Sequence, residues 1–246
     1  MIETNFYISQ SIIVIVLISI AYICGSLVHY KGIKVNYTRK INHFAVFFLP
    51  PFIDSFVVYN KNMFTLSISM IMSVALLGLY VEPLRERVPI LKRAFLSFDR
   101  PEDRPHTLFW LSTQFAASAL VIIPFVMYFF TINKLLLIFI PILITGIGDG
   151  LAEPIGIRFG KHYYQTKALF SKKKYVRTLE GSSCVFIISI LTVFAYYNFF
   201  TPVQFYAALI MFPILMTLTE ALSPHTWDTP SLYLVGGLAT VGIIHI

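Results

Sequence analysis

Residues 134–152 read KLLLIFIPILITGIGDGLA, an apolar run that begins at one cation and carries a single acid, Asp149, near its far end. A run of this length is typical of a membrane-crossing helix, because about 20 apolar residues span the roughly 30 Å hydrocarbon core of a bilayer. Comparable runs predict seven further spans, at residues 8–28, 41–58, 63–81, 107–130, 182–200, 203–222 and 231–246. The sequence therefore predicts an all-α, polytopic transmembrane bundle of about eight spans, forming one membrane domain over residues 1–246.

Composition supports this prediction. The chain is 57% hydrophobic and only 13% charged, which is too apolar for a soluble domain. Residues 1–7 carry no Lys or Arg, so we interpret the first apolar run as a retained helix and not as a cleaved secretory signal. We expect an integral multi-pass protein, in the plasma membrane of a bacterium or an organelle membrane of a eukaryote, with no nucleic-acid partner. The oligomeric state stays open.

The distribution of positive charge predicts an orientation. Of the 19 Lys and Arg residues, 17 lie in three alternate connections, 29–40, 82–106 and 153–181. The other two lie in 59–62 and 131–134. Cytoplasmic loops carry the excess of Lys and Arg, so the three basic loops are predicted to be cytoplasmic and the N-terminus to lie outside.

The second basic loop, 82–106, contains a helical pattern. Apolar residues recur in it at alternating spacings of four and three: Leu84, Val88, Leu91, Phe95 and Phe98. With basic residues between them, this pattern predicts an amphipathic helix on the membrane surface, interrupted at Pro89. An irregular loop with dispersed leucines is the alternative.

Acidic residues near the cytoplasmic helix ends are candidates for metal binding and catalysis. A carboxylate at membrane depth, such as Asp149, is a functional hypothesis by default. Carboxylate oxygens are the ligands that Mg²⁺ prefers. The candidate metal ligands are Asp149, Glu153, Glu180 and Glu220, and Asp228 is a further candidate beside Glu220.

Glycines and cations surround these acids. The segment from Lys161 to Arg177 holds six positive charges and no acid, a composition suited to binding a polyphosphate. Glu180 precedes Gly181 and Ser182, where the sixth span is predicted to begin, so a phosphate there would meet free helix N–H groups. The alternative is that the glycines help helices pack and the Lys and Arg residues set topology.

Two polar residues in the second span have simpler explanations. His43 could accept a proton or could pack in the interface. Asp54, at the opposite end of this span, is predicted to be solvated or paired locally.

The sequence resembles the CTP-dependent polyprenol kinases, a family that includes dolichol kinase, phytol kinase and the CTP-dependent diacylglycerol kinase. Four pieces carry the resemblance, in this order: Thr38-Arg39-Lys40 with His43; Arg100-Pro101-Glu102; the Gly148–Gly160 block with Arg177-Thr178-Leu179-Glu180-Gly181-Ser182; and Glu220 with Asp228. The third piece is the specific one. The resemblance covers nearly the whole chain thinly.

The resemblance implies a membrane lipid kinase that transfers the γ-phosphoryl of CTP to the hydroxyl of a long-chain lipid alcohol, with Mg²⁺ or another divalent cation. It implies that Asp149, Arg177 and Glu180 bind CTP and the metal. The full set of expected catalytic residues is Asp149, Glu180 and Asp228. The expected nucleotide-binding residues are Arg39, Lys40, Gly148, Gly150, Gly156, Gly160, Lys172, Lys173, Lys174, Arg177, Gly181 and Ser182.

The sequence departs from the family pattern at two positions, and it leaves two alternative functions open. Arg177 stands where a Lys is common, and Thr229 follows Asp228 where Asn is usual. A cytidylyltransferase acting on a lipid phosphate is the nearest alternative, but no Lys or Arg follows Leu222 to form that enzyme group's C-terminal basic motif. A small-solute transporter is the non-enzymatic alternative, although transporters place polar groups near the midplane.

Overall fold

The computed structural model describes the backbone of residues 3–168 and 171–246, and the side chains of all of these except 171–173. The described chain is mostly helical, with one two-stranded hairpin. Contacts divide it into two compact units, Met1–Thr113 and Gln114–Ile246, here called the first and the second unit. The prediction of a single membrane domain stays a prediction.

The first unit is built from helices α1 (Thr4–Lys31), α2 (Val35–Phe56), α3 (Met63–Gly78), α4 (Glu82–Arg87) and α5 (Pro89–Phe95). Helix α6 (Thr107–Thr131) begins in the first unit and ends in the second. α1 packs against α2 and α5. A Cβ added at Gly25 of α1 would lie 1.8 Å from the carbonyl oxygen of Arg93, so α5 approaches α1 at a point that only glycine can occupy.

The second basic loop forms α4 and α5, and Pro89 takes the first position of α5, as its fixed φ angle favours. The break at Pro89 is therefore confirmed. The apolar face of this segment packs against protein, because Leu91, Phe95 and Phe98 are buried in a core with Ala21 of α1, and its location on the membrane surface stays a prediction. An amphipathic pattern looks the same whether its apolar face contacts lipid or a neighbouring helix.

The second unit continues with a helical stretch from Leu135 to Phe159. Within it lie a 3₁₀ turn (Leu135–Ile138), α7 (Phe139–Leu143), a π-helical turn (Ile144–Asp149) and α8 (Gly150–Phe159). The predicted helix end at residue 152 is wrong, because α8 passes through Glu153 and Pro154 and the apolar side chains of Ile155 and Ile157 continue it. π-helical turns occur frequently at functional sites, and this one ends at Asp149.

The third basic loop folds as an antiparallel hairpin, which the loop interpretation missed. Strand β1 (Tyr163–Ala168) pairs with β2 (Ser171–Thr178) in a register that sets Tyr164 opposite Arg177. Side chains on β1 alternate between exposed and buried positions, as one covered sheet face requires. The aromatic and β-branched residues at 163, 164, 166, 175, 176 and 178 were the available signal.

Three further helices complete the second unit: α9 (Leu179–Ala195), α10 (Pro202–Leu222) and α11 (Asp228–Ile244). α10 packs against both α9 and α11, and α8 packs against α9. The fully buried side chains of this core include Ile140, Ile144, Val185, Phe212 and Met216.

Eight long helical segments therefore overlap the eight predicted runs. Four of them, Thr4–Lys31, Thr107–Thr131, Leu135–Phe159 and Pro202–Leu222, are long and apolar enough to cross a membrane. Met63–Gly78, Leu179–Ala195 and Asp228–Ile244 are apolar but shorter. The helical, membrane-type architecture is confirmed, and the count of eight crossings stays a prediction.

Candidate functional site

The central side chain of the candidate site is Arg177, which β2 directs toward the end of α10. Its Nη1 atom donates to Oε1 of Glu220 at 2.8 Å and also to the backbone carbonyl of Glu220. Its Nη2 atom donates to the carbonyl oxygen of Ser223 at 3.5 Å. Glu220 is only 4% exposed, so this ion pair is buried. These contacts attach the hairpin to the C-terminal end of α10.

Two further carboxylates act on the same guanidinium. Asp228, at the start of α11, has its Oδ2 atom 3.8 Å from Nη2 of Arg177. Asp149, at the end of the π-helical turn, is 4% exposed and interacts electrostatically with Arg177. Burial lowers the pKa of Arg177, but the surrounding negative charges more than offset this effect and raise it above its ordinary value. Arg177, Glu220, Asp228 and Asp149, here called the Arg177 cluster, carry one positive and three negative formal charges.

A hydrogen-bond chain positions the second oxygen of Glu220. The hydroxyl of Ser182 donates to Oε2 of Glu220 at 2.7 Å, and the hydroxyl of Tyr164 lies 2.6 Å from Oγ of Ser182. Because Ser182 uses its proton on Glu220, Tyr164 donates to Ser182. Burial, followed by the charge of Glu220, raises the pKa of Tyr164, so its hydroxyl keeps its proton at neutral pH. Sequence reasoning missed Tyr164, because it missed the hairpin.

The link between α10 and α11 holds Asp228 in place. Gln114 of α6 donates to Oδ1 of Asp228 at 3.4 Å and to the hydroxyl of Thr229 at 2.8 Å. In the link itself, Thr226 has φ 68°, a left-handed conformation that is strained for a β-branched residue. His225 stacks on Tyr175 of β2 at 3.4 Å between ring centroids. The hairpin therefore braces a strained turn beside a functional candidate, a combination found at binding and catalytic sites.

Among the described residues, no group of three or more His, Cys, Asp and Glu side chains is arranged to hold a metal ion. Mg²⁺, however, commonly takes one or two protein carboxylates together with substrate phosphates, so it does not need such a group. The negative excess of the Arg177 cluster and the buried oxygens of Asp149 suit a divalent cation of this kind. Glu153 follows Asp149 by one helical turn. Glu220 already uses one oxygen on Arg177 and the other on Ser182.

Glu180 has a different environment from the Arg177 cluster. Its Oε1 atom lies 2.7 Å from Nδ1 of His162, and its Oε2 atom accepts from the His162 backbone N–H at 3.3 Å. The hydrogen bond from the His162 side chain, followed by bonds from backbone N–H groups, lowers the pKa of Glu180 to about 2. Glu180 lies just before the apolar stretch 182–200, and its metal-binding and catalytic roles stay predictions.

A phosphate was predicted to bind free N–H groups at the start of α9, and one of these groups has a partner within the protein. The helix begins at Leu179, and the side chain of its N-cap, Thr178, accepts from the backbone N–H of Gly181 at 3.1 Å. That N–H group is therefore already satisfied by the protein, as is usual for an N-cap.

The glycines have packing contacts that explain them without a ligand. A Cβ added at Gly156 or Gly160 would lie 2.6 Å or 2.5 Å from the side chain of Thr178. One added at Gly181 would lie 2.6 Å from the carbonyl oxygen of Ala152, and one at Gly148 would lie 3.1 Å from Cα of Val185. Gly150 is buried at the start of α8. These contacts favour the packing explanation, and ligand binding at these positions stays a prediction.

The predicted phosphate-binding cations lie in different places. Arg177 is on the inner face of the hairpin, whereas Lys174 is exposed on the outer face. The side chains of Lys172 and Lys173 lie outside the described residues. Arg39 and Lys40 belong to α2 of the first unit, where Lys40 is buried.

The first unit contains a polar cluster of its own, formed by the first two pieces of the resemblance. Thr38 of α2 donates to the carbonyl oxygen of Ser97 at 2.7 Å, and Asn36 donates to Glu102 at 3.4 Å. Arg100 forms a buried ion pair with Asp103 at 2.6 Å. The structure thus brings pieces one and two together in the first unit, and pieces three and four together in the second.

The remaining polar residues of α2 match their simpler explanations. His43 packs against Phe47, with ring centroids 4.6 Å apart. Asp54 accepts from the hydroxyls of Ser9 at 2.5 Å and Tyr59 at 2.8 Å, so the prediction that it is paired locally is confirmed.

Comparisons of the sequence with protein-family models and with curated proteins, and of the fold with solved structures, gave no match.

Proposed function

We propose that this protein is a membrane lipid kinase, which moves the γ-phosphoryl of CTP to the hydroxyl of a polyprenol, phytol or diacylglycerol at the cytoplasmic interface. The observation that supports the proposal is the Arg177 cluster. It gathers a buried cation and three carboxylates: Glu220 near the end of α10, Asp228 at the start of α11, and Asp149 inside the helical stretch Leu135–Phe159. The choice of CTP and of a lipid alcohol comes from the resemblance.

Phosphoryl transfer asks the protein mainly for positioning and for stabilisation of charge. The oxygen of the lipid hydroxyl would attack the γ-phosphorus, the bond from that phosphorus to the bridging oxygen would break, and CDP would leave. Asp149 or Asp228 would accept the hydroxyl proton. Arg177 would stabilise the charge on the transferred phosphoryl group, with Lys172 and Lys173 as further phosphate contacts.

Glu220 would act as a positioning residue, since its two oxygens fix Arg177 and Ser182. The residues proposed to hold a divalent cation are Asp149 and Glu153. When bound, the cation would neutralise phosphate charge and favour departure of CDP.

The proposed topology has eight crossings with the N-terminus outside and the segments 29–40, 82–106 and 153–181 in the cytoplasm. Single cysteines introduced at Lys174 and at Lys61 test it with a membrane-impermeant thiol reagent. Labelling of Lys174→Cys from outside, in intact cells, would contradict both the orientation and the cytoplasmic site.

The reaction is tested with purified protein, Mg²⁺, a panel of lipid alcohols and lipid phosphates, and CTP labelled separately at the α and the γ position. Label from the γ position on a lipid alcohol supports the kinase. Label from the α position on a lipid phosphate would show a cytidylyltransferase instead. Transfer from no nucleotide to any lipid would favour the transporter alternative.

A further inference from the structure

The hairpin has two chemically different faces. Its inner face carries Tyr164 and Arg177, which belong to the candidate site or contact it. Its outer face, here called the outer hairpin face, consists of exposed side chains on both strands: Tyr163, Gln165, Lys167, Lys174 and Val176. The candidate site makes no use of this second face.

The outer hairpin face places like charges opposite one another. Lys167 and Lys174 are partners in the strand register, and both are exposed. No acid occurs in the sequence from Lys161 to Leu179. Directly opposed like charges destabilise an antiparallel pair, so this arrangement disfavours the isolated hairpin. A negatively charged partner would reverse that effect.

The same face also exposes apolar surface beside the lysines. Tyr163 is 67% exposed and Val176 is 64% exposed. An inorganic phosphate ion would make no favourable contact with an aromatic ring or an aliphatic side chain. The surface of a bilayer can contact all of these side chains, because tyrosines lie at the headgroup level and lysines reach phosphate groups from the same depth.

The position of the hairpin in the chain brings it to such a surface. β1 begins at Tyr163, a few residues after Phe159, where a candidate membrane span ends. β2 ends at Thr178, and the apolar helix α9 follows at once. At about 3.3 Å per residue, Lys167 lies only about 13 Å along the strand from Tyr163. A hairpin lying along the bilayer would hold both lysines within the reach of its surface charge, about one Debye length.

We propose that the outer hairpin face docks on anionic phospholipid headgroups of the bilayer in which the protein resides. The docked hairpin would present its inner face, with Arg177, to the candidate site. The proposal rests on the membrane location of the helices and not on the kinase reaction.

The test uses the full chain in nanodiscs, with a fluorophore attached at Gln165→Cys. The two native cysteines, Cys24 and Cys184, are buried, so the label is selective. Quenching by a nitroxide on lipid headgroups reports docking. We expect strong quenching in discs that contain phosphatidylglycerol, weak quenching in phosphatidylcholine discs, and loss of the difference at high salt.

The decisive variant is Lys167→Gln with Lys174→Gln. At about fivefold per lysine, it should lower the ratio of docked to free hairpin roughly 25-fold at low salt. It removes a repulsive pair, so the hairpin itself should stay folded, and hydrogen exchange of β1 and β2 checks this. The matched control, Lys61→Gln with Lys134→Gln, alters cations in other connections and should leave the quenching unchanged.

Equal quenching in neutral and anionic discs, or no response to the double variant, would overturn the proposal. Quenching that is weak in anionic discs but changes in neutral discs on addition of CTP would assign the face to nucleotide binding and would also overturn it. None of these readouts depends on catalysis, so this proposal and the proposed kinase reaction fail separately.

Discussion

The two units each contain a polar cluster, and the clusters differ in how their charges are balanced. In the first unit, each arginine pairs with acids close to it in the sequence: Arg100 with Asp103 at 2.6 Å and Glu102 at 3.8 Å, and Arg104 with Asp99 at 2.8 Å. These pairs join residues two, three or five positions apart. In the second unit, one arginine faces three carboxylates, and its shortest ion pair joins residues 43 positions apart.

The difference separates pairs that shape a turn from groups that suit a ligand. Neighbouring residues of opposite charge can fix a local loop, because each ion pair forms between side chains of the same loop. A buried surplus of negative charge is costly to form and is kept where a cation or a proton has a role. The first cluster is therefore expected to affect stability, and the second to affect activity.

The largest expected effect is on the stability of the first unit. Asp103→Asn removes the shorter ion pair of the buried Arg100 guanidinium and leaves the one with Glu102 at 3.8 Å, and we expect a loss of about 3 kcal/mol in the free energy of unfolding. Loss of helical circular dichroism on heating in detergent measures it. Replacing both partners, Arg100→Met with Asp103→Leu, should recover much of the loss. A stable but inactive Asp103→Asn protein would contradict the structural role of this pair.

The next effect concerns activity in the second unit. Asp149→Asn deletes a charge but little volume, so the protein should stay folded while lipid phosphorylation falls about a hundredfold or more. Its matched control is Asp54→Asn, which alters a carboxylate that accepts from Ser9 and Tyr59 in the first unit and should keep nearly full activity. Comparable losses in both variants would mean that Asp149 is part of a structural network.

Some of these features could be predicted from the sequence and others could not, for physical reasons. Long apolar runs must become helices in a bilayer, so the helices of the fold were predictable from composition alone. Asp149 could also be identified as a candidate functional residue from composition, because a single acid stands out in an apolar run. The hairpin was missed because the six cations from Lys161 to Arg177 indicated a loop, while the alternation of Tyr164, Thr166 and Ala168 was weaker.

The ion pairs within the candidate site could not be predicted from a single sequence. The ion pair between Arg177 and Glu220 depends on how β2 meets the end of α10, a tertiary contact that no local pattern encodes. Thr178 shows the same limit. It entered the sequence analysis only as part of the motif Arg177-Thr178-Leu179-Glu180-Gly181-Ser182 that carries the resemblance, yet it caps α9 and packs against Gly156 and Gly160.

A smaller effect tests whether the second cluster acts as a unit. Tyr164→Phe removes the hydroxyl that donates to Ser182, and the loss of about 1 kcal/mol should lower the rate constant kcat about fivefold. Ser182→Ala should have a larger effect, because Ser182 contacts Glu220 directly. The double variant should be little worse than Ser182→Ala alone, since both residues act through one chain. Fully additive losses would show that Tyr164 acts elsewhere.

The smallest effect concerns Glu180, which belongs to the second unit but forms its ion pair with His162, outside the Arg177 cluster. Its pKa is lowered to about 2, against about 4.3 for an unfolded chain. Its contribution to stability is thus fully present above about pH 4.3 and is lost as the pH falls toward 2. The stability difference between the natural protein and Glu180→Gln should accordingly be constant near neutral pH, small because the pair is screened by solvent, and absent near pH 2. Unfolding of both proteins in detergent at a series of pH values measures it, with His162→Gln as the matched partner variant.

At neutral pH, Glu180→Gln should retain most of the phosphorylation activity that Asp149→Asn loses. If instead Glu180→Gln is as inactive as Asp149→Asn while His162→Gln is active, Glu180 takes part in the chemistry, as the resemblance to the polyprenol kinases implies, and charge balance alone does not separate the two kinds of cluster.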